Sequence, residues 1–288
     1  MGFVAFWFEI KATEGQDFFS DPPDNTDNRD YWQFVLKGRS GTDHTTAMEN
    51  LGQAANYATE ACKRQHRHCC FSISLSRTSA RFIRWDRAGA IVSKKFDILK
   101  QPEFLCDFLW CFAHISDVER GYDLTVGPAT KQEENIFLHK ITAHILTQVH
   151  VEDELELGRL LEEHAQKGSV TSIHLPDTAS SKADAQKGRR LLVSRPMVVP
   201  LSFAGRGTRT YWAYDEKNDK VVFLKDTWRY DIDSEREGDI LNHLNKHRVE
   251  NVPEVLYHGD VPNAREVRDK SGEIRIEYAG KCKLLLMS

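Results

Sequence analysis

The feature that most constrains the fold is a change of composition past the middle of the chain. Residues 166–190 contain few large apolar side chains and include the run Thr178-Ala179-Ser180-Ser181-Lys182. Such a segment cannot bury enough apolar surface to order itself, so it predicts a linker or an exposed loop. Helical and mixed patterns precede it, and strand patterns follow it. The sequence therefore predicts an N-terminal domain over residues 1–165, a linker over residues 166–190 and a second domain over residues 191–288.

The N-terminal region mixes strand and helix patterns. An apolar run over residues 3–11 predicts a buried strand, and apolar side chains at three- and four-residue steps predict a helix over residues 42–66. Two alternating segments, residues 69–75 and 81–85, predict further strands. More helix is predicted over residues 104–115 and 132–164. These patterns together indicate an α/β region with a helical extension.

An E-x-K pattern lies in the first predicted strand, where alternation puts Glu9 and Lys11 on one face. The next helix carries Gln53 and Tyr57 four residues apart, so they also share a face. This combination resembles the PD-(D/E)XK nuclease-like fold, in which a carboxylate pair binds the metal and the lysine positions or activates water. The resemblance implies an acidic ligand before Glu9, but none of the eight preceding residues is acidic. We therefore expect no metal-dependent DNA cleavage, and a simple Glu9–Lys11 ion pair is the alternative.

Cysteine and histidine residues crowd together between positions 62 and 70. Their spacing matches no standard zinc pattern, and alternation would point Cys69 and Cys70 to opposite faces of a strand. We therefore predict structural roles for these side chains and no metal site.

The second region is rich in strand patterns. Strands are predicted over residues 197–203, 209–214, 221–226 and 254–258, with a polar hairpin turn at residues 216–220 and a helix over residues 234–247.

A glycine-rich turn, a lysine and a glutamate follow one another in this region. Gly205 and Gly207 lie between two predicted strands, where backbone N–H groups can bind phosphate. Lys225 ends an apolar strand, so its charge must find a partner or reach solvent. Glu237 on the following helix could supply that partner. Alternatively, Ser234 and Glu237 form a capping box, which would leave Lys225 to solvent.

This order is that of the small lobe of a protein kinase. Thr210 replaces the third glycine of the G-x-G-x-x-G pattern, and Trp212 stands where valine is usual. Longer collinear blocks in both regions resemble the fungal-type protein kinase family. They are residues 84–90, 120–126, 205–209, 222–229, 237–240 and 244–245. The resemblance covers about residues 9–261, whereas residues 262–288 do not resemble the family.

The resemblance implies an α+β chain in which an N-terminal family domain precedes a kinase-like small lobe that uses ATP and Mg²⁺. Gly205 and Gly207 would shape the loop, Lys225 would bind the α/β-phosphates, and Glu237 would hold Lys225. The implied cofactor-binding residues are Gly205, Arg206, Gly207, Thr208, Lys225 and Glu237.

Transfer of the γ-phosphoryl group of ATP to a protein also needs an H-R-D-x-x-x-x-N loop and a D-F-G motif, and neither occurs in the sequence. We therefore predict no catalytic residue in this chain and expect the large lobe to be missing. The alternative is a non-catalytic protein-interaction module.

Charge and hydropathy restrict the partners. Lys and Arg number 39 and Asp and Glu number 43, so the formal charge is −4. A mildly acidic chain has no overall attraction to nucleic acid or to an anionic membrane. No apolar run approaches the roughly 20 residues that span a bilayer, and residues 1–8 lack the basic flank of a signal peptide. We expect an intracellular protein, cytoplasmic or nuclear, whose partner is a protein substrate or another protein.

Overall fold

The computed structural model describes residues 4–26, 32, 34–35, 42–175, 188–229, 235–260 and 280–286. The chain divides into two compact units: Met1–Asp123 with Leu201–Ala204, and Leu124–Pro200 with Gly205–Ser288. Both helices and strands are present, so the predicted α+β class is confirmed. Residues 124–165 fall in the second of these units. No helix within the described ranges is long and apolar enough to cross a membrane.

The first unit is built on one mixed sheet. Its strands have the order β1-β2-β3-β4, and β5 pairs with β3. β1 runs parallel to β2, while β2, β3 and β4 are antiparallel. The elements are β1 (Phe6–Lys11), α1 (Thr42–Arg64), β2 (Cys69–Ser76), β3 (Ser79–Asp86), β4 (Gly89–Val92), β5 (Phe96–Asp97) and α2 (Pro102–His114).

Alternation along β2 and β3 explains how this sheet is covered on both faces. One face presents Cys70, Ile83 and Trp85 to α1, which packs there through its alanines and Cys62. The other face presents aromatic rings to α2, and Phe82 stacks on Phe108 with ring centroids 4.6 Å apart. The helix over residues 42–66 was therefore predicted correctly, because its small apolar residues recur at helical spacing.

The second unit is a seven-stranded antiparallel sheet of order β11-β12-β10-β9-β8-β7-β6 with three helices among the described residues. The elements are β6 (Val126–Pro128), α3 (Lys131–Gln148), α4 (Glu154–His164), β7 (Thr171–Leu175), β8 (Arg189–Val193), β9 (Arg209–Asp215), β10 (Lys220–Arg229), α5 (Glu237–Lys246), β11 (Val255–Asp260) and β12 (Gly280–Leu286).

Three features of this sheet differ from the sequence prediction. β7 lies within residues 166–190, and β8, which begins at Arg189, pairs with it, so this segment connects adjacent strands of one unit; residues 176–187 are outside the described ranges. The strand predicted over residues 197–203 is absent from this described stretch, where Val198 makes only an isolated bridge to Thr210. The segment over residues 280–286, predicted as part of a divergent tail, forms β12 between β10 and β11.

Alternation along β8, β9 and β10 divides their side chains between two cores. On one face, Leu191, Ala213 and Leu224 belong to a fully buried cluster. On the other face, Leu192, Tyr214 and Val221 pack with Phe137, Ile141 and Ile145 of α3. Strands that are buried on both faces are apolar at consecutive positions, which accounts for the run Val221-Val222-Phe223-Leu224. Helix α3 therefore covers one face of these three strands.

Candidate functional site

Lys225 lies on β10, which is flanked by β9 and β12. It is the register partner of Thr210 on β9 and of Leu284 on β12. Because side chains alternate along a strand, Lys225 shares its face with Val221 and Phe223. Its side chain is 26% exposed, so the amine can reach both a protein partner and a ligand.

The ammonium of Lys225 pairs with the Glu237 carboxylate. Lys225 Nζ donates to Glu237 Oε1 at 2.8 Å and to Oε2 at 2.5 Å. Glu237 is the first residue of α5, where the helix N-terminus favours a negative charge. The predicted contact is therefore present, and Ser234, on which the capping-box alternative depends, lies outside the described residues.

Gly238 fixes the distance between α5 and β11. A β-carbon at position 238 would lie 2.2 Å from Cγ and 2.4 Å from Cβ of His258, so only glycine fits. His258 Nε2 also lies 3.5 Å from Asp239 Oδ1, and Arg236 Nη2 lies 3.6 Å from Asp260 Oδ2. These contacts hold the first turn of α5 against β11 and thereby position the Glu237 carboxylate.

The glycine-rich turn is attached to the end of β10. Gly205 and Gly207 have φ angles of +93° and +51°, in the region that glycine adopts without strain. The backbone N–H of Trp228 donates to the Arg206 carbonyl at 2.8 Å. The Thr208 and Thr227 hydroxyl oxygens lie 2.9 Å apart. The structure thus brings the predicted residues 205–208, Lys225 and Glu237 to one end of the sheet.

This arrangement suits an anion that carries several oxygens. Lys225 offers an ammonium whose charge Glu237 partly balances, and a turn with glycine at two positions allows an anion to approach its backbone N–H groups. Within the described ranges, no three His, Cys, Asp or Glu side chains lie close enough together to hold a metal ion. The groups that this arrangement presents are the Lys225 ammonium and the backbone of residues 205–208.

A buried ion pair on the opposite face of β9 and β10 was not identified from the sequence. Arg209 and Asp226 are register partners, their side chains are each 2% exposed, and Arg209 Nη1 lies 4.0 Å from Asp226 Oδ2. Burial raises the pKa of the neighbouring Tyr211 to about 12. The sequence does contain a signal for this pair. A short hairpin joins the two strands and sets their register, which places the arginine opposite the aspartate.

Aromatic rings cover the face of the sheet next to Lys225. The Trp212 and Phe223 rings meet edge to face, with centroids 5.9 Å apart. The His144 ring of α3 lies 4.9 Å from the Trp212 ring. The sequence marked Trp212 only as a departure from a pattern and did not predict that α3 would contact it.

The burial of His144 and His164 predicts a loss of stability in acid. Burial lowers the pKa of His144 and the nearby His164 lowers it further; burial also lowers the pKa of His164, against the opposing charge of Glu163. As the pH falls, these histidines take up protons near the ordinary pKa of 6.5 in the unfolded chain, but at a lower pH in the folded chain. Protonation therefore favours the unfolded state. Stability should be complete above that pH and should fall below it.

Melting temperatures at about pH 7.5 and about pH 5.5 check this prediction. His144→Phe keeps a ring against Trp212 and should reduce the difference between the two melting temperatures. His139→Phe, at an exposed position of the same helix, should leave that difference as in the parent chain. An equal difference in the parent and in His144→Phe would contradict the assignment.

The first unit assembles the E-x-K and Q-x-x-x-Y residues into one chain of polar contacts. Lys11 Nζ lies 3.0 Å from Glu9 Oε1 and donates to Gln53 Oε1 at 2.6 Å. Gln53 Nε2 donates to the Tyr57 hydroxyl oxygen at 2.8 Å. Glu9 is buried, with 7% exposure. As predicted, Glu9 and Lys11 share one face of β1, and Gln53 and Tyr57 share one face of α1. Glu9 supplies the single carboxylate in this chain of contacts.

Comparisons with known proteins place both units in one family match. A protein-family model described as fungal protein kinase matches residues 20–282. This match extends beyond residue 261, where the resemblance was expected to end, and reaches into β12. No curated protein and no solved structure matches the chain.

Proposed function

The chain belongs to the fungal protein kinase family, and on this premise we propose that its second unit is a kinase-like small lobe that binds phosphate groups. The order of parts supports this proposal: a glycine-rich turn, a lysine on the following strand and a glutamate on the following helix. The helix α5 and the antiparallel strands from β8 to β12 carry all three parts. In this scheme Lys225 contacts the phosphates, Glu237 holds Lys225, and the backbone of residues 205–208 covers the phosphates.

The observation that carries the proposal is the two-oxygen contact between Lys225 and Glu237. Their side chains are 26% and 48% exposed, and exposed ion pairs contribute only about 0–1 kcal/mol to stability. The pair therefore contributes little to the stability of the fold. Its role in this proposal is to orient the Lys225 ammonium toward a ligand. ATP is the ligand that the family implies, and Mg²⁺ bound with it would neutralise phosphate charge.

A binding experiment with inorganic tripolyphosphate and Mg²⁺ tests the phosphate site directly. We expect Lys225→Met to weaken binding by about tenfold to a hundredfold, because a hydrogen bond to a charged group contributes about 1.5–3 kcal/mol. Lys220→Met is the matched control, since Lys220 is exposed at the other end of β10. Isothermal titration of the three proteins measures the difference. Equal affinity in Lys225→Met and the parent chain would refute the phosphate site.

We expect no phosphoryl transfer by this chain, because the H-R-D and D-F-G motifs do not occur in its sequence. Those motifs supply the base and the metal ligands that position the reacting groups. Incubation with labelled ATP, Mg²⁺ and a generic protein substrate provides the measurement. Incorporation of label that disappears in Lys225→Met would contradict the expectation.

A second proposal concerns the first unit, which we assign a nuclease-like fold without nuclease activity. The parallel pairing of β1 with β2 and the joined residues Glu9, Lys11, Gln53 and Tyr57 favour it. One carboxylate cannot form the usual cage for Mg²⁺. The alternative for the whole chain is a protein-interaction module, which tripolyphosphate binding independent of Lys225 would favour.

A further inference from the structure

A short segment of the first unit lies directly before the glycine-rich turn. Leu201–Ala204 belongs to that unit, although the residues on either side of it belong to the second. Leu201 is 91% exposed, so its side chain does not attach the segment. Phe203 packs instead against the core of the first unit, where its ring meets the Trp85 ring edge to face with centroids 5.0 Å apart. The chain then passes straight into Gly205.

Arg87 holds the backbone of this segment. Its Nη1 donates to the Phe203 carbonyl oxygen at 2.9 Å and to the Ser202 carbonyl oxygen at 3.3 Å. Arg87 is 3% exposed, and a buried guanidinium requires hydrogen-bond acceptors. The two carbonyls are such acceptors, and the charge of the donor strengthens both bonds. This contact therefore fixes the arginine and the segment together.

The β3–β4 turn presents Arg87 in a defined position. Asp86 Oδ1 accepts from the backbone N–H groups of Ala88 at 3.0 Å and of Gly89 at 3.2 Å. An aspartate commonly stabilises a tight turn in this way. These residues lie in the block 84–90, one of those that resemble the fungal-type kinase family, and the phosphate site alone gives that block no role.

The composition of the glycine-rich turn makes such support useful. Glycine loses more conformational freedom on ordering than any other residue, and Gly205 and Gly207 both have positive φ angles. On the C-terminal side of the turn, the Trp228 N–H donates to the Arg206 carbonyl. On the N-terminal side, the chain is held at Phe203. A short length of chain spans these two anchors, and a short tether restricts the turn more than a long one.

We propose that Arg87 is a positioning residue for the phosphate-binding turn. By holding the Ser202 and Phe203 carbonyls, it fixes the point from which residues 205–208 start and keeps their backbone N–H groups in place for an anion. Arg87 acts through the chain rather than on the phosphates, because a turn that is already ordered loses less entropy on binding. The proposal rests on the proposed phosphate site and adds a residue of the first unit to it.

Hydrogen exchange of the ligand-free full chain, followed by NMR, tests the positioning step without relying on phosphate binding. Arg87→Met removes the donor and keeps an unbranched stem. We expect the backbone N–H groups of residues 205–208 to exchange at least about threefold faster in this variant, while those of β9 exchange as in the parent chain. Arg77→Met is the matched control and should change neither rate, because Arg77 is exposed at the β2–β3 turn of the same sheet. Unchanged exchange at residues 205–208 in the folded Arg87→Met variant would overturn the proposal.

Titration with Mg²⁺–tripolyphosphate tests the consequence for the site. We expect Arg87→Met to weaken binding by about threefold to tenfold. Insertion of a Gly-Gly pair between Ala204 and Gly205 keeps every contact of Arg87 but lengthens the tether, so it should weaken binding to a similar extent. Adding Arg87→Met to the insertion variant should then cause no further loss, because both changes release the same tether. If Arg87→Met does not fold, the insertion variant takes its place in both measurements.

The outcomes separate the positioning role from the phosphate site on which it rests. Binding that depends on Lys225 but is unchanged by Arg87→Met and by the insertion would overturn the positioning role and leave the phosphate site intact. A further loss when Arg87→Met is added to the insertion variant would also overturn it, since Arg87 would then act other than through the chain. Tripolyphosphate binding that does not depend on Lys225 would overturn the phosphate site, whereas faster exchange at residues 205–208 would still support positioning of the turn by Arg87.

Discussion

Replacing Gly238 with alanine is expected to weaken tripolyphosphate binding by more than about tenfold and to lower the melting temperature. The new β-carbon would lie 2.2 Å from His258 Cγ and 2.4 Å from His258 Cβ. A rotation of the imidazole cannot relieve this clash, because the His258 β-carbon is fixed to the backbone of β11. The first turn of α5 must move away, and the Glu237 carboxylate moves with it.

A second substitution distinguishes this positioning effect from general damage. In the Gly238→Ala background, His258→Ala retains the clashing β-carbon and should restore little binding. His258→Gly removes that atom and should restore binding, although a glycine within a strand costs about 0.5–1 kcal/mol of stability. Gly158→Ala on α4 is the control, because no atom lies within 4 Å of its added β-carbon. Full binding by Gly238→Ala alone would show that Gly238 does not position Glu237.

Replacing Asp226 with alanine should lower the free energy of unfolding of the second unit by about 3–5 kcal/mol. The Arg209 and Asp226 side chains are each 2% exposed. Removal of the carboxylate takes one counter-charge away from a buried guanidinium, and the remaining cost of its desolvation is large. Chemical denaturation followed by circular dichroism measures the loss.

Removal of both charges should be far less harmful than removal of one. The double variant Arg209→Met/Asp226→Leu replaces the ion pair with apolar side chains, which is often neutral for a buried pair. Glu237→Ala serves as the comparison at an exposed site. The Glu237 side chain is 48% exposed, so its removal should lower the free energy of unfolding by at most about 1 kcal/mol. A loss below about 1 kcal/mol in Asp226→Ala would mean that water reaches Arg209.

Contacts set by local spacing could be predicted from the sequence. The Lys225–Glu237 pair follows from a strand that ends beside the next helix, and the Glu9–Lys11 pair follows from alternation on one strand. The strand predicted over residues 197–203 was wrong for a local reason. Pro196 and Pro200 cannot donate hydrogen bonds to a neighbouring strand. The prediction rested on the apolar content of the segment and did not take these prolines into account.

Pairings between distant segments could not be predicted. Nothing in the local pattern of residues 280–286 indicates that they pair with β10 and β11. Similarly, the helix pattern over residues 132–164 did not indicate which surface α3 packs against. The contact between the His144 and Trp212 rings depends on that surface, so it could not be predicted from the sequence.

The place of β12 between β10 and β11 has a consequence for how the chain is made. A ribosome delivers β10 and β11 first, yet these strands are not neighbours in the finished sheet. Until residues 280–286 emerge, the strand that carries Lys225 has an open edge, which is the kind of surface that pairs with other chains. Bringing residues 280–286 back to β10 also costs chain entropy before the pairing repays it. Among the described strands, β12 is therefore the one that completes this sheet, and chaperone contact during synthesis should concentrate on the unpaired edges of β10 and β11.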